Sequence, residues 1–134
     1  MTNDEVIAEF RAHGGKVGGY WEGRDLLLLT TRGRRSGRPY TTPVVFTRDG
    51  DRLLVYASQG GADTHPDWYL NLVASPRVVV ELGTEQFEAV ATPLEGEERD
   101  REFAAQVQRN PAFGRYQEQT DRVIPVVALR RVRS

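Results

Sequence analysis

A run of four leucines, Leu26–Leu29, leads directly into a turn that is crowded with arginine. Residues 32–38 contain four arginines, with Gly33 and Gly37 between them. The leucines predict a buried strand, and the glycines allow the backbone to turn and direct its N–H groups into a concavity. Because guanidinium groups complement phosphate oxygens, the segment predicts an anion-binding loop for the phosphate of a cofactor or nucleotide. A solvated hairpin turn without a ligand is the alternative.

Five further segments have the length, the alternation and the flanking turn residues of strands. They span residues 40–48, 52–58, 77–82, 86–93 and 123–132. Asp49-Gly50 predicts a tight hairpin between the first two of them. Pro43 has no N–H to donate to a ladder, so we expect its strand to lie at an edge or to carry a bulge there.

Short helical patterns accompany these strands at residues 2–13, 66–73, 95–108 and around Phe113 and Tyr116. Six short strands with helices only as covers predict a mainly β (α+β) fold, a small closed or partly closed barrel. A six-stranded sandwich is the alternative. We expect one domain over residues 1–134, with residues 1–25 as an N-terminal helix and loop.

Composition excludes several classes of function. A net charge of -1 argues against a general nucleic-acid binder, and the lack of cysteine excludes a disulfide or a thiolate nucleophile. His13 and His65 are not spaced as metal ligands. No membrane-spanning run and no signal-peptide pattern is evident, so we expect a cytoplasmic protein without membrane association. With so few reactive side chains, an enzyme of this kind would depend on a bound cofactor.

Four segments, taken in order, resemble the deazaflavin-dependent nitroreductase family. They are residues 27–39, 56–61, 65–72 and 120–127. Members are similar to FMN-binding split barrels but use coenzyme F-420, an 8-hydroxy-5-deazaflavin with a phosphate and an oligoglutamate tail. The resemblance therefore implies a six-stranded antiparallel split β-barrel of the FMN-binding type, with short covering helices.

The resemblance also implies a set of cofactor-binding residues. The cofactor phosphate would be held by the arginine-rich turn, through Arg34, Arg35, Ser36 and Gly37. The ring and ribityl chain would lie on the next strand, on Tyr40, Thr41, Thr42, Pro43, Val44 and Val45. The ring edge and the wall would be formed by Tyr56, Ala57, Ser58, Gln59, Asp67, Trp68, Tyr69, Leu70, Asn71 and Phe113. For the aromatic residues at 68 and 69, plain core packing is the alternative.

The implied chemistry is transfer of a hydride between F-420 and a small organic acceptor, namely a quinone, an enone or a nitroaromatic compound. Ser58 is the first candidate for a hydrogen bond to the acceptor or the ring, and Tyr116 is the candidate lid residue and proton donor. Asn110 and Phe113 stand where nitroimidazole-reducing members have tyrosines, which changes the pocket over the acceptor. Gln59 and Tyr40 also depart from the lysine and arginine common at those places.

Three alternatives to an F-420-dependent reductase remain open from the sequence. The first is an FMN-binding split-barrel oxidoreductase. The second is a non-catalytic protein that carries F-420 or a flavin. The third is a small barrel that binds nucleic acid through its arginines. The last would show a steep dependence of affinity on salt. The sequence leaves both a monomer and a homodimer open.

Overall fold

The structure, a computed structural model, describes residues 2–132. Six antiparallel strands close a barrel in the order β1-β2-β3-β6-β5-β4. The strands are β1 (Leu26–Arg32), β2 (Pro39–Asp49), β3 (Arg52–Tyr56), β4 (Arg77–Leu82), β5 (Glu85–Pro93) and β6 (Val126–Arg131). The predicted antiparallel barrel is therefore confirmed, and the sandwich is excluded.

Four helices cover the barrel, as the sequence predicts. They are α1 (Asn3–Ala12), α2 (Asp67–Ala74), α3 (Gly96–Arg109) and α4 (Ala112–Glu118). α1 begins with a capping box in which Thr2 and Glu5 satisfy each other's backbone N–H groups. Single 3-10 turns occur at Gly19–Trp21 and Gln59–Gly61. None of the helices within residues 2–132 has the length and apolar character needed to cross a bilayer.

The leucine run is apolar without alternation because both faces of β1 are covered. Leu27 and Leu29 point into the barrel and pack with residues such as Val55. Leu26 and Leu28 point outward and pack under α1, against Phe10. A third apolar cluster joins the outer faces of β3 and β6 to α3 and α4. The barrel interior and both outer clusters thus hold the helices in fixed positions around the strands.

β2 is long enough to serve two partners, one after the other. Residues 39–45 pair with β1, whereas only Phe46–Asp49 pair with β3. Pro43 therefore lies in the half of β2 that has a single strand neighbour, which confirms the predicted edge position. This free edge of residues 39–45 borders the cavities described below.

Two predicted strand ends are wrong by two or more residues, and the others agree within one residue. β3 ends at Tyr56 rather than at residue 58, because the chain turns into the 3-10 segment there. β6 begins at Val126 rather than at residue 123, because the backbone N–H and carbonyl groups of Ile124 are hydrogen-bonded to side chains. Its N–H donates to Gln117 and its carbonyl oxygen accepts from Arg99. Side-chain partners thus replace ladder partners at this strand end.

Candidate active site

Two cavities adjoin each other beside the free edge of β2. The arginine-loop cavity has a volume of about 760 Å³ and is bordered by the loop Gly33–Arg38, called the arginine loop. The lid cavity has a volume of about 500 Å³ and lies between β2 and α4. Thr42, Asp67 and Trp68 line both. Each volume falls in the range of small-molecule sites, so the pair can hold one elongated ligand.

The shape of the arginine loop comes from its own backbone. The N–H of Gly33 donates to the carbonyl of Arg38 at 2.7 Å, and the N–H of Gly37 donates to the carbonyl of Gly33 at 2.9 Å. Gly37 has a φ of +72°, and a Cβ on Gly33 would lie 2.6 Å from the Tyr40 ring. Both glycines are therefore required by geometry, and the arginines between them are free to face a ligand.

Arg34 is oriented by groups on α2. Its backbone N–H and its Nη1 both donate to Asn71 Oδ1, at 3.2 and 2.9 Å, and its Nη2 lies 3.2 Å from Asp67 Oδ1. Asn71 is only 4% exposed and donates in turn to the buried hydroxyl of Thr31. Arg35 is exposed at the rim of the same cavity. The loop thus offers one oriented guanidinium and one exposed guanidinium.

An aromatic row forms one wall of the lid cavity. The rings of Tyr56 and Phe113 meet edge to face at 5.6 Å, and those of Phe113 and Tyr116 at 5.5 Å. The Tyr56 hydroxyl lies 2.7 Å from the hydroxyl of Thr47, and burial raises its pKa. Tyr56 therefore stays neutral, with its hydroxyl engaged by Thr47, whereas Tyr116 of α4 lines the same cavity.

The turn Ser58–Gly61 packs beside α4, borders the lid cavity through residues 58–60 and is anchored by Arg122. The guanidinium donates to the carbonyl oxygens of Ala62 and Ser58, both at 2.7 Å, and to that of Ala57 at 3.0 Å. Its Nη1 also lies 3.1 Å from Nδ1 of His65. Burial lowers the pKa of His65, and the positive charge of Arg122 lowers it further. Neutral His65 can therefore accept from Arg122.

Most of the predicted site residues lie on these two cavities. The arginine-loop cavity is lined by Arg34, Arg35, Ser36, Tyr40, Thr41, Thr42, Asp67, Trp68 and Asn71. The lid cavity is lined by Thr42, Pro43, Val44, Val45, Tyr56, Ser58, Gln59, Asp67, Trp68, Phe113 and Tyr116. Their roles remain predictions, since the structure contains no ligand.

Four predicted residues line neither cavity. Ala57 is fully buried in the barrel core, and Tyr69 packs against that core and the ring of His65. Leu70 lies half-buried on α2. Gly37 faces the other side of the loop, near the side chain of Arg32. These residues can shape the site only through their neighbours.

Several lining residues were not predicted. Tyr20, Trp21 and Arg24 reach the lid cavity, and Arg24 lies over the Tyr20 ring at 4.4 Å. Two aromatic residues in a glycine-rich segment were the available signal for them. Asn3, Asp4, Ile7 and Arg11 of α1 border the arginine-loop cavity. Nothing in the amphipathic pattern of α1 indicates that its outer face meets a distant loop.

Within residues 2–132, no group of three histidine, cysteine, aspartate or glutamate side chains is arranged to hold a metal ion.

Comparison with known proteins identifies the family of the chain. A family described as F420H(2)-dependent quinone reductase matches residues 3–131. An F420H(2)-dependent quinone reductase of Mycobacterium tuberculosis is 38% identical over 128 residues, which is 92% of this chain and 86% of that protein.

Solved structures give the same picture. A structure described as an F420-H2 dependent reductase is 36% identical, with a TM-score of 0.71, and covers 79% of this chain and 94% of that one. A second, described as a domain-swapped dimer, is 35% identical, with a TM-score of 0.73 and coverage of 94% and 92%. A heme storage protein of Vibrio cholerae, 21% identical with a TM-score of 0.62, covering 100% and 93%, shares the fold alone.

Proposed function

Because the chain belongs to the F420H(2)-dependent quinone reductase family, we propose that it reduces quinones with coenzyme F-420 bound across the two cavities. The observation that carries the proposal is the junction of a guanidinium-lined cavity with an aromatic one at Thr42, Asp67 and Trp68. A deazaflavin cofactor has the same division, with an anionic phosphate at one end and a flat ring at the other.

The residues present fit this cofactor chemically. Arg34, Arg35 and Ser36 would hold the phosphate by charge-assisted hydrogen bonds. Asn71 would keep Arg34 oriented, since the two are already bonded. The apolar edge of β2 at Pro43, Val44 and Val45 would support the ring. The arginine loop would therefore bind the anion, α2 would orient Arg34, and β2 would provide an apolar surface for the ring.

The reduced deazaflavin, when bound, supplies a hydride. The chain itself would orient the acceptor and provide the proton that completes its reduction. Ser58 would hydrogen-bond the acceptor or the ring from the floor of the lid cavity, and Tyr116 would donate the proton from α4. Both side chains line the same cavity, which supports this division of roles.

Quinones are the first choice of acceptor, and enones and nitroaromatic compounds are the further candidates. The lid holds Phe113 and Asn110 beside Tyr116. A phenylalanine leaves a flat apolar wall where a tyrosine would add a donor, and such a wall suits a planar quinone. The lid would therefore offer a planar acceptor a flat apolar wall beside the Tyr116 hydroxyl.

The experiment that tests the function has two steps. The purified protein is first titrated with F-420, FMN and FAD side by side, and we expect F-420 to bind most tightly. Oxidation of reduced F-420 is then followed with quinones, enones and nitroaromatic compounds. Binding of FMN alone would make the chain a flavoprotein, and binding of F-420 without turnover of any acceptor would make it a carrier.

The role of Tyr116 is tested by Tyr116→Phe, which keeps the ring and its contact with Phe113. We expect kcat for quinone reduction to fall by about 10²-fold or more, since a positioned general acid contributes roughly that factor. The Kd for F-420 should be unchanged. An unchanged kcat would assign the proton to water.

A further inference from the structure

The segment between α1 and β1 brings a cationic side chain to the lid cavity. Arg24 lines this cavity together with Tyr20 and Trp21. Within the described part of the chain, no other residue that lines it carries a positive charge. Its one carboxylate, that of Asp67, is already paired with Arg34 of the arginine loop at 3.2 Å. Among residues 2–132, Arg24 is therefore the uncompensated charge that the lid cavity presents.

The backbone around Arg24 is fixed to the barrel on both sides. Trp21 packs on the outer apolar cluster under α1, and the N–H of Phe46 donates to the carbonyl oxygen of Asp25 at 3.2 Å. Between these anchors, the N–H of Arg24 donates to the carbonyl oxygen of Trp21 at 3.0 Å. Gly23, with a φ of +74° and open space around it, permits the turn. Arg24 therefore has a defined position beside β2.

The side chain of Arg24 is oriented by Tyr20. Its Nε donates to the carbonyl oxygen of Tyr20 at 3.1 Å, and its guanidinium carbon lies 4.4 Å from the centre of the Tyr20 ring. The Tyr20 ring meets the Trp21 ring edge to face at 5.0 Å. Among residues 2–132, neither Nη1 nor Nη2 of Arg24 has a hydrogen-bond or ion-pair partner. Both terminal nitrogens are thus left to donate to a ligand.

Reduction of a quinone in this cavity creates a negative charge there. The quinone gains a hydride, which is two electrons and one hydrogen, and becomes a hydroquinone monoanion while the deazaflavin is oxidised. One proton, from Tyr116 or water, then completes the hydroquinone. Apart from Asp67, the other lining residues are uncharged, so Arg24 is the side chain whose charge opposes that of the developing oxyanion. A fixed group of opposite charge lowers the free energy of such a transition state.

We propose that Arg24 is a catalytic residue whose terminal nitrogens donate to the acceptor oxygen on which negative charge develops. The proposal rests on the proposed function and adds a residue of the N-terminal segment to the acceptor site. Arg24 stabilises the charge, and Tyr116 supplies the proton that later removes it. Arginine suits the first role because its guanidinium keeps its proton. Since the side chain is exposed, the effect is moderate and is screened by salt.

The first test measures binding of a stable quinone anion to the chain saturated with oxidised F-420, which fills the cofactor site and offers no hydride. The probe is 2-hydroxy-1,4-naphthoquinone, which is ionised at neutral pH, and its neutral partner is 2-methoxy-1,4-naphthoquinone. We expect Arg24→Gln to weaken binding of the anion about fivefold, as for an exposed charge pair, and to leave the affinity for the ether unchanged. An unchanged affinity for the anion, or an equal loss for both probes, would overturn the proposal.

The second test follows hydride transfer to a neutral quinone, 2-methyl-1,4-naphthoquinone, in single turnovers. We expect Arg24→Gln to slow the transfer about fivefold to tenfold, and Arg24→Lys, which keeps the charge, to restore part of the rate. The ratio of parent to Arg24→Gln rates should shrink as salt is raised from about 0.01 to 1 M, which a loss of packing would not produce. The Kd for F-420 should be unchanged. A weaker Kd would place Arg24 on the cofactor and overturn the proposal.

The matched control is Arg48→Gln. Arg48 is also an exposed arginine over an aromatic ring, 5.6 Å from the centre of Phe46, but it does not line the lid cavity. Anion binding and hydride transfer should therefore match those of the parent. Losses equal to those of Arg24→Gln would assign the effect to net charge and overturn the proposal. A parent that binds no F-420 or reduces no quinone would overturn the proposed function, whereas an active parent matched by Arg24→Gln would overturn this inference alone.

Discussion

The arginine loop and the Ser58–Gly61 turn both follow a barrel strand, contain two glycines and line adjoining cavities, yet they are held in opposite ways. The arginine loop closes mainly on itself, through bonds between residues no more than five apart, with one backbone bond from Arg34 to Asn71 of α2. The Ser58–Gly61 turn depends on Arg122, more than sixty residues further along the chain. The first is a mainly local structure that exposes charge, and the second is a turn whose shape depends on a distant side chain.

The first prediction removes positive charge from the arginine loop and has the largest effect that we expect. Arg34→Ala with Arg35→Ala removes both guanidiniums while leaving the backbone bonds of the loop in place. We expect F-420 binding to weaken by about 3–6 kcal/mol, since each hydrogen bond to a charged group contributes about 1.5–3 kcal/mol. Equilibrium titration measures the change.

Arg77→Ala is the control for that titration. Arg77 is exposed on β4 outside both cavities, and its loose ion pair with Glu88 at 3.9 Å contributes little. Affinity should be unchanged in this variant. Unchanged affinity in the double variant as well would mean that the phosphate lies elsewhere.

The locality of each region explains how far the sequence could predict it. The arginine loop was predictable because its glycines, its arginines and its strand are neighbours in the chain. The strands were predictable for the same reason, since alternation and hairpin signals are short-range. The strand ends were less predictable. β6 begins late because Arg99 and Gln117 form hydrogen bonds with the backbone of Ile124.

The backbone conformation of the Ser58–Gly61 turn could not be predicted in the same way. Residue identities give no indication that Gln59 has positive φ, because that conformation is imposed by Arg122 and α4 rather than preferred locally. The contribution of Tyr20 and Trp21 to the lid cavity likewise depends on where the N-terminal segment packs. The residues that line the two cavities were therefore predicted more completely than the backbone conformation of the turn between β3 and α2.

The second prediction tests the packing of α4 on the Ser58–Gly61 turn. A Cβ on Gly61 would lie 2.6 Å from Gln119 Oε1 and 2.9 Å from the carbonyl oxygen of Tyr116, so Gly61→Ala must displace α4. We expect the free energy of unfolding to fall by about 2–4 kcal/mol, the sum of overpacking and left-handed strain. Urea denaturation measures it.

Gly60→Ala is the matched variant. Gly60 also has positive φ, at +62°, but a Cβ there meets open space. The left-handed strain of about 1–2 kcal/mol remains, but removing a glycine recovers about 0.5–1 kcal/mol of backbone entropy, so we expect a net loss of about 1 kcal/mol. Equal losses in the two variants would show that the packing of α4 on the turn does not matter.

The third prediction uses pH to loosen the turn at His65. Its pKa is lowered in the folded protein by burial and by Arg122. Below the unfolded value of about 6.5, the unfolded chain binds a proton that the folded chain does not, so stability falls with decreasing pH. We expect the melting temperature to drop below about pH 6.5, by less than the Gly61→Ala effect.

His65→Gln isolates this contribution. Glutamine retains an acceptor for Arg122 but does not titrate, so the variant should lose much of the fall in stability below about pH 6.5. The double variant of the arginine loop should retain it, because that loop makes no contact with His65. A pH dependence equal in His65→Gln and the parent would contradict the assignment.

The last prediction concerns the positive φ of Gln59 and has the smallest effect that we expect. In the arginine loop positive φ occurs at Gly37, whereas in the Ser58–Gly61 turn it also occurs at Gln59. Gln59→Gly relieves about 1–2 kcal/mol of strain but adds about 0.5–1 kcal/mol of backbone entropy cost and loses an exposed bond to Thr64. We therefore expect the free energy of unfolding, measured by urea denaturation, to rise by less than about 1 kcal/mol.

Gln59→Ala keeps the strain and loses the bond, so it should be slightly destabilised. A glycine variant that is less stable than the alanine variant would mean that Gln59 is not strained, and that the turn holds its shape by local preference, as the arginine loop does.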